Sequence, residues 1–399
     1  MMLEKSNKEK YCKNIRIAFV LYSNVLWGSG LEKSALFYIL YKPDDVKSVI
    51  FVHTKPLPNK KNRIDESVFD LIKNKSEIIE INNDYVKIQD IIVKMPKIIR
   101  YMIYYPSIFI LKYTSYYNLY NKIGKPDIIY LFRNDFSYFF EKNNFLVGST
   151  HGWYPSNSKL LMKINKITSL IFRNKINAYH TFPIWSEKVK KMFPNKDIIE
   201  IPNGIDTNLF KPINKKDDKI TCLFVARLEE CKGILTVLKM WEKFKDNDKL
   251  ELKIIGSGTL EKKVEEYVKI FNNANYLGTV NEENLAKIYG ESDIFIYPSL
   301  CDTFSLVILE ALSAGCHVIT NYKFKGSFKE FESIDAITFC NNSPDDFSNA
   351  LNRLIQNIED IKNKKEINHK VAYENYDIRV IVKKLYESII GVYEKLNCS

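Results

Sequence analysis

Glu310 stands on a stretch with almost no other polar chemistry. From Phe304 to Ala314 the chain reads F-S-L-V-I-L-E-A-L-S-A, where only Ser305, Glu310 and Ser313 interrupt the apolar residues. A helix that is apolar nearly all round is buried, and a carboxylate is almost never fully buried unless something pairs with it. Glu310 therefore has a structural partner in the core, or it faces a cleft where a ligand supplies one; buried carboxylates favour the second. Arg227-Leu228-Glu229-Glu230-Cys231-Lys232-Gly233 is a second candidate. It follows a strand, precedes a helix and carries two cations. An arginine can fork onto phosphate oxygens while a lysine acts as a compact point charge; two solvated surface cations are the plainer alternative. Two glycine loops, Gly28-Ser29-Gly30 and Gly256-Ser257-Gly258, each run from a strand into a helix N-terminus. That arrangement offers backbone amides to an anion, although a tight turn has the same sequence. His151 follows the run F-L-V-G-S-T (145–150), at the strand end where open α/β sheets bind ligands. His53, His180, His317 and His369 are read as structural.

These residues must be positioned by the alternating strand and helix patterns around them. Asp293 to Tyr297 and Cys316 to Thr320 are short apolar runs without polar alternation, as parallel strands buried on both faces require. Between them lie a loop, Pro298 to Thr303, and the Glu310 helix, Phe304 to Ala314. Earlier strands are expected at 15–22, 47–53, 77–81, 126–132 and 144–150, with helices from about Leu31 and near 65–73, then a strand-helix-strand unit over 176–201. Residues 202–219, P-N-G-I-D-T-N-L-F-K-P-I-N-K-K-D-D-K, read as a turn and a linker. Strands then resume at 220–226, 251–255 and 275–280, with a helix over 281–290. The expected class is α/β: two doubly wound parallel-sheet domains, 1–203 and 204–376, facing each other across a cleft. The final segment, 377–399, has the length to cross back and brace the first domain.

Composition narrows the function classes. The 399 residues are 46% apolar and 27% charged, as in a globular chain large enough for two cores. Seven cysteines without C-x-x-C spacing argue for reduced thiols in a cytosolic protein, against a disulfide framework or a zinc site. The first fourteen residues lack a signal-peptide core, and no apolar run is long enough to span a bilayer. A net charge of +11 implies an acidic partner. Ile91 to Pro126 and Lys142 to Ser186 contain no acidic residue; the first places lysines among seven tyrosines, and the second includes a basic amphipathic helix over 159–175. Such segments suit an anionic membrane surface, or are ordinary solvated faces of a Lys-rich chain.

Taken in order, the motifs resemble the family 4 retaining glycosyltransferases with the GT-B architecture. I-P-N-G-I-D-T-N-L-F-K-P (201–212) is similar to the interdomain linker and V-A-R-L-E-E-C-K-G (225–233) to the phosphate loop. Y-L-G-T-V-N-E-E-N-L-A-K-I-Y (276–289) and D-I-F-I-Y-P-S (293–299) follow, and D-T-F-S-L-V-I-L-E-A-L-S-A-G (302–315) matches the E-x7-E signature. The resemblance implies a nucleoside diphosphate sugar, UDP- or GDP-linked, held mainly by the second domain. Arg227 and Lys232 would neutralise the diphosphate and stabilise the leaving group without a metal. Glu310 would accept hydrogen bonds from the ribose hydroxyls, and Asp302 from hydroxyls of the transferred sugar. The amides of Ser305 and Leu306 would receive phosphate oxygens. His151 would sit beside the donor sugar, and Gly28, Ser29 and Gly30 near the donor phosphate and acceptor. Gly258, Leu277, Thr303 and Phe304 complete the implied donor contacts. No covalent nucleophile is evident; the family's reaction is a front-face substitution with retention, in which the leaving phosphate helps deprotonate the acceptor hydroxyl. The chain departs from the family where aspartate stands at 302 for glutamate, serine at 305 for glycine, and where 321–330 lacks the usual Gly-Gly-x-x-Glu run, with Glu330 a substitute.

The expectation is a hexosyltransferase acting on a glycan or lipid-linked acceptor in surface glycan or glycolipid synthesis. It would need no cofactor, bind no nucleic acid, and lie peripherally on the inner face of the cell membrane. The competing readings are a nucleotide-sugar epimerase on the same architecture, disfavoured by the 302–310 match, and a non-enzymatic basic binding or scaffold protein. The scaffold reading predicts loss of site residues, yet Arg227, Lys232 and Glu310 are present.

Overall fold

A computed structural model describes residues 15–27, 30–57, 67–92, 94–141, 143–150, 176–215, 218–302 and 304–397. The chain divides into two compact units, one of Met1–Pro202 with Val382–Ser399 and the other of Asn203–Ile381.

The first unit holds seven parallel strands: β1 (Arg16–Val20), β2 (Ser48–Thr54), β3 (Glu77–Ile81), β4 (Ile128–Leu131), β5 (Phe145–Ser149), β6 (Ala178–Thr181) and β7 (Asp197–Glu200). They lie in the order β3-β2-β1-β4-β5-β6-β7. Every residue of β4, β5 and β6 is buried; β4 reads as an unbroken apolar run, as a strand covered on both faces does, while β6 also buries His180 and Thr181. The core between sheet and helices buries several phenols, Tyr38, Tyr85, Tyr116, Tyr130 and Tyr179 among them. Phe19, Tyr38, Tyr130 and Tyr386 form one aromatic cluster with ring centroids 5.2–6.0 Å apart. Within it the Tyr386 hydroxyl donates to the Tyr38 carbonyl at 2.9 Å, which anchors the C-terminal helix, Ile378–Asn397, in the first unit's core. Helix Lys97–Tyr113, which contains Pro106, leaves Ile99, Ile103, Phe109, Ile110 and Tyr113 exposed.

The second unit holds six parallel strands: β8 (Ile220–Val225), β9 (Leu250–Ile255), β10 (Ala274–Tyr276), β11 (Ile294–Tyr297), β12 (His317–Asn321) and β13 (Ile337–Cys340). Their order is β10-β9-β8-β11-β12-β13. After β8 the chain builds outward through β9 and β10, then returns to place β11 on the other side of β8. That reversal is a topological switch point, and in open α/β sheets the crevice beyond the strand C-termini at such a point is where ligands bind. One buried ionic cluster ties the unit's start to its end. The carboxylate of Asp293, 1% exposed, meets Lys215 Nζ at 2.5 Å and Lys365 Nζ at 3.1 Å, and it accepts the Thr221 amide at 2.9 Å. Burial raises the Asp293 carboxyl, but the two lysines and that amide outweigh it and hold it below the ordinary range. The linker closes onto the same unit, since the Ile205 amide donates to the Tyr376 carbonyl and the Ile378 amide to the Ile205 carbonyl.

Candidate active site

The loops after β8, β9 and β11 meet at the switch point, and two glycines make that possible. Gly256, at φ +136°, ends β9 so tightly against the next loop that a Cβ there would lie 1.8 Å from the Ala226 carbonyl oxygen. Gly233, at φ +82°, closes the loop after β8, and its Cβ would lie 2.5 Å from the Pro298 carbonyl oxygen. Both positions call for a residue without a side chain. With Gly233 against Pro298, the Leu300 amide donates to the Cys231 carbonyl at 2.9 Å. The loops 227–233 and 298–302 are thereby laced side by side.

Lacing brings Lys232 to Asp302, with Nζ 2.5 Å from Oδ1. The other carboxylate oxygen of Asp302 accepts the Tyr297 hydroxyl at 2.5 Å and the Ser299 hydroxyl at 2.6 Å. Burial raises the Asp302 carboxyl, but the charge and hydrogen bond of Lys232, with the two hydroxyls, outweigh it and hold the group below its usual range. Asp302 in turn, after burial, pushes the Tyr297 phenol far up, so Tyr297 remains a donor. Lys323 adds a further cation, its Nζ donating to the Leu300 carbonyl at 2.6 Å.

Helix Leu306–Ser313 starts just beyond. Phe304 and Ser305, expected within it, precede it: Ser305 is the extended N-cap, and the Phe304 ring sits 4.8 Å from that of Phe328. The first amides of any helix have no intrahelical acceptor, so Leu306 and its neighbours present donors beside the Lys232–Asp302 pair. Glu310, one turn on, is 4% exposed. Burial, and then the nearby charge of Glu310, push the Tyr289 phenol up, and the Tyr289 hydroxyl donates to the Val307 carbonyl at 3.4 Å.

The remaining candidates divide. Arg227 is half-exposed and pairs with Glu229 at 2.5 Å, not with the Lys232 cluster. Gly258 lies under the Leu228 backbone, and Leu277 is exposed just before Gly278. In the first unit Gly30 opens helix Gly30–Leu40. Glu330 accepts the Tyr376 hydroxyl at 2.5 Å. His151, Gly28, Ser29 and Thr303 lie outside the described residues. Tyr297, Ser299 and Lys323 had no sequence signal beyond their type, because their roles depend on a strand end and a loop meeting a lysine seventy residues away.

Residues 206–371 match the family model "Glycosyl transferases group 1". The chain is 28% identical over 254 residues to an uncharacterized glycosyltransferase of Methanocaldococcus jannaschii, covering 57% of this chain and 64% of that one. It is 26% identical over 258 residues to the phosphatidylinositol N-acetylglucosaminyltransferase gpi3 subunit of Schizosaccharomyces pombe, covering 62% and 56%. The chain thus spans less than two thirds of the length of these curated relatives. Among solved structures, Anabaena Alr3699/HepE in complex with UDP and glucose superposes with a TM-score of 0.67 at 14% identity, over 95% of this chain and all of that one. The two parallel-sheet, Rossmann-like units are those of the GT-B architecture, and residues 206–371 are similar to the glycosyl transferases group 1 family.

Proposed function

We propose that the protein is a retaining glycosyltransferase that moves a hexose-type sugar from a UDP- or GDP-linked donor to a glycan or lipid-linked acceptor, without a metal. The observation that carries this reading is the Lys232–Asp302 pair, 2.5 Å apart, set beside a helix N-terminus at the sheet's switch point. A diphosphate arriving there takes Lys232 from Asp302 and gains the amides at Ser305 and Leu306, while Arg227 exchanges Glu229 for a phosphate oxygen. Released from the lysine, Asp302 turns an acceptor oxygen to the sugar hydroxyls, and Glu310 accepts hydrogen bonds from the ribose diol. The cations and amides then stabilise charge as the glycosidic bond breaks, and positioning does the rest. UDP and glucose in the Anabaena structure, and the phosphatidylinositol in the name of the gpi3 relative, support the donor and acceptor classes.

For the setting, we propose peripheral attachment to an anionic membrane on its cytoplasmic side. No helix among the described residues is long and apolar enough to cross a membrane. The exposed apolar residues of helix Lys97–Tyr113, in a stretch free of acidic residues, support a surface contact. Vesicle flotation checks this, with capture expected to depend on anionic lipid and to weaken at high salt; equal capture by neutral vesicles contradicts it. The enzymatic reading is tested by incubating the protein with a panel of UDP- and GDP-sugars. Turnover of at least one donor is expected, abolished in both Lys232→Ala and Glu310→Ala. Variants that match the wild type overturn it.

A further inference from the structure

Two cysteines occupy the laced loops. Cys231 Sγ lies 2.7 Å from Cys301 Sγ, and both are free thiols, the first exposed and the second half-buried. Each is the immediate neighbour of a member of the ion pair, Cys231 of Lys232 and Cys301 of Asp302. The approach is held by the backbone, through the Leu300 amide on the Cys231 carbonyl and the close fit of Gly233 to Pro298, rather than by two flexible side chains alone. Closing the sulfurs to a covalent length of about 2.05 Å requires a shift of only ~0.7 Å. Among the described residues no group of three or more His, Cys, Asp and Glu is arranged to hold a metal. Burial and the contact with Cys301 push the Cys231 thiol up to about 11, so in the reduced state Cys231 donates its S–H to Cys301.

We propose that Cys231 and Cys301 form a reversible dithiol–disulfide modification site whose reaction partner is a small disulfide of the glutathione class. One cysteine thiolate attacks the small disulfide, RSSR, forming a mixed disulfide and expelling RS⁻, which takes up a proton. The second cysteine loses its proton and displaces the remaining RS group. The chain gives up two electrons and two protons, and RSSR becomes two RSH. The bridge ties the loop of Lys232 covalently to the loop of Asp302. Resting on the donor reading above, it weakens nucleoside diphosphate binding, because Lys232 must leave Asp302 to meet the phosphates.

The full-length protein is equilibrated with glutathione, oxidised or reduced, alkylated with N-ethylmaleimide and digested without reductant. Oxidised glutathione should yield a cross-linked peptide joining Cys231 to Cys301, about 2 Da lighter than its separate parts and restored by dithiothreitol. Cys231→Ser should instead leave Cys301 alkylated or as a glutathione adduct. Both thiols fully alkylated after oxidised glutathione, or Cys231 and Cys301 joined only to other cysteines, overturns the proposal. UDP and GDP titrations of the two states separate it from the donor reading: bridge formation with no nucleotide binding in either state overturns the donor reading alone. Equal binding in both states overturns the coupling.

Discussion

Replacing Asp302 with asparagine should tighten the binding of a bare nucleoside diphosphate, because the carboxylate competes with phosphate for Lys232. Lys232 is 12% exposed and Asp302 22%, with 2.5 Å between the charged atoms, so little solvent screens the pair. Hydrogen bonds to charged groups contribute about 1.5–3 kcal/mol. Asparagine keeps an amide oxygen for the lysine, so roughly half of that is released, on the order of 1 kcal/mol, or about fivefold in dissociation constant. The intact sugar donor should move the opposite way, since the hydroxyl acceptor is weakened. The assay is calorimetric titration with UDP and GDP, then with the matching nucleotide sugar. The fold-change should be constant between pH 6 and 8. The Asp302 carboxyl lies below its usual range because Lys232 and the two hydroxyls outweigh burial. The pair therefore persists above the ordinary carboxylate value of about 3.9 and is lost only as pH falls through the lower folded value. Unchanged or weaker diphosphate binding in Asp302→Asn would refute the idea that Lys232 is the phosphate cation held in reserve.

Other outcomes follow from the same structure. Asp293→Ala should strand Lys215 and Lys365, each 12% exposed, at a cost of about 3–5 kcal/mol; a thermal melt should show the second unit's midpoint falling by roughly 6–20 °C. In Gly256→Ala the new Cβ meets the Ala226 carbonyl at φ +136°, so denaturant titration should show a loss of more than the roughly 1–3 kcal/mol of backbone strain alone. Gly278→Ala, at φ +64° with nothing within 4 Å, should cost about 1–2 kcal/mol. His180 is held between the Tyr130 hydroxyl at 2.6 Å and the Ile201 carbonyl at 3.0 Å, and burial pushes it down to about 4. Because the native state favours the neutral ring, its stability contribution is complete above the unfolded value of about 6.5 and declines as pH falls from there toward 4. The slope should approach about 1.4 kcal/mol per pH unit. Titration by NMR should show His180 neutral at pH 6; a midpoint near 6.5 would contradict this.

The sheet architecture was legible where its strands are buried on both faces and apolar throughout, as in I-F-I-Y (294–297); a run of that kind has few other uses. Helix ends were less so. Phe304 reads as helical by polarity, but its ring is spent on Phe328, and the helix waits for Leu306. The cations of 227–233 were legible by type and by their place between strand and helix, yet not by partner. Arg227 is taken locally by Glu229, while Lys232 reaches a carboxylate seventy residues on. Glu310 was legible as an oddity, but Tyr289, whose phenol its charge helps to push up, comes from another helix. Nor did spacing reveal the Cys231–Cys301 contact, because the fit of Gly233 against Pro298, rather than any local motif, sets it.

The central claim is that the second unit's switch point holds a nucleoside diphosphate sugar, and a crystal structure with the tightest-binding UDP or GDP species tests it most directly. The account predicts phosphate oxygens on Lys232 Nζ and on the amides at Ser305 and Leu306, the ribose diol on Glu310, and Asp302 parted from the lysine. A nucleotide bound elsewhere, with the Lys232–Asp302 pair intact at 2.5 Å, would contradict it.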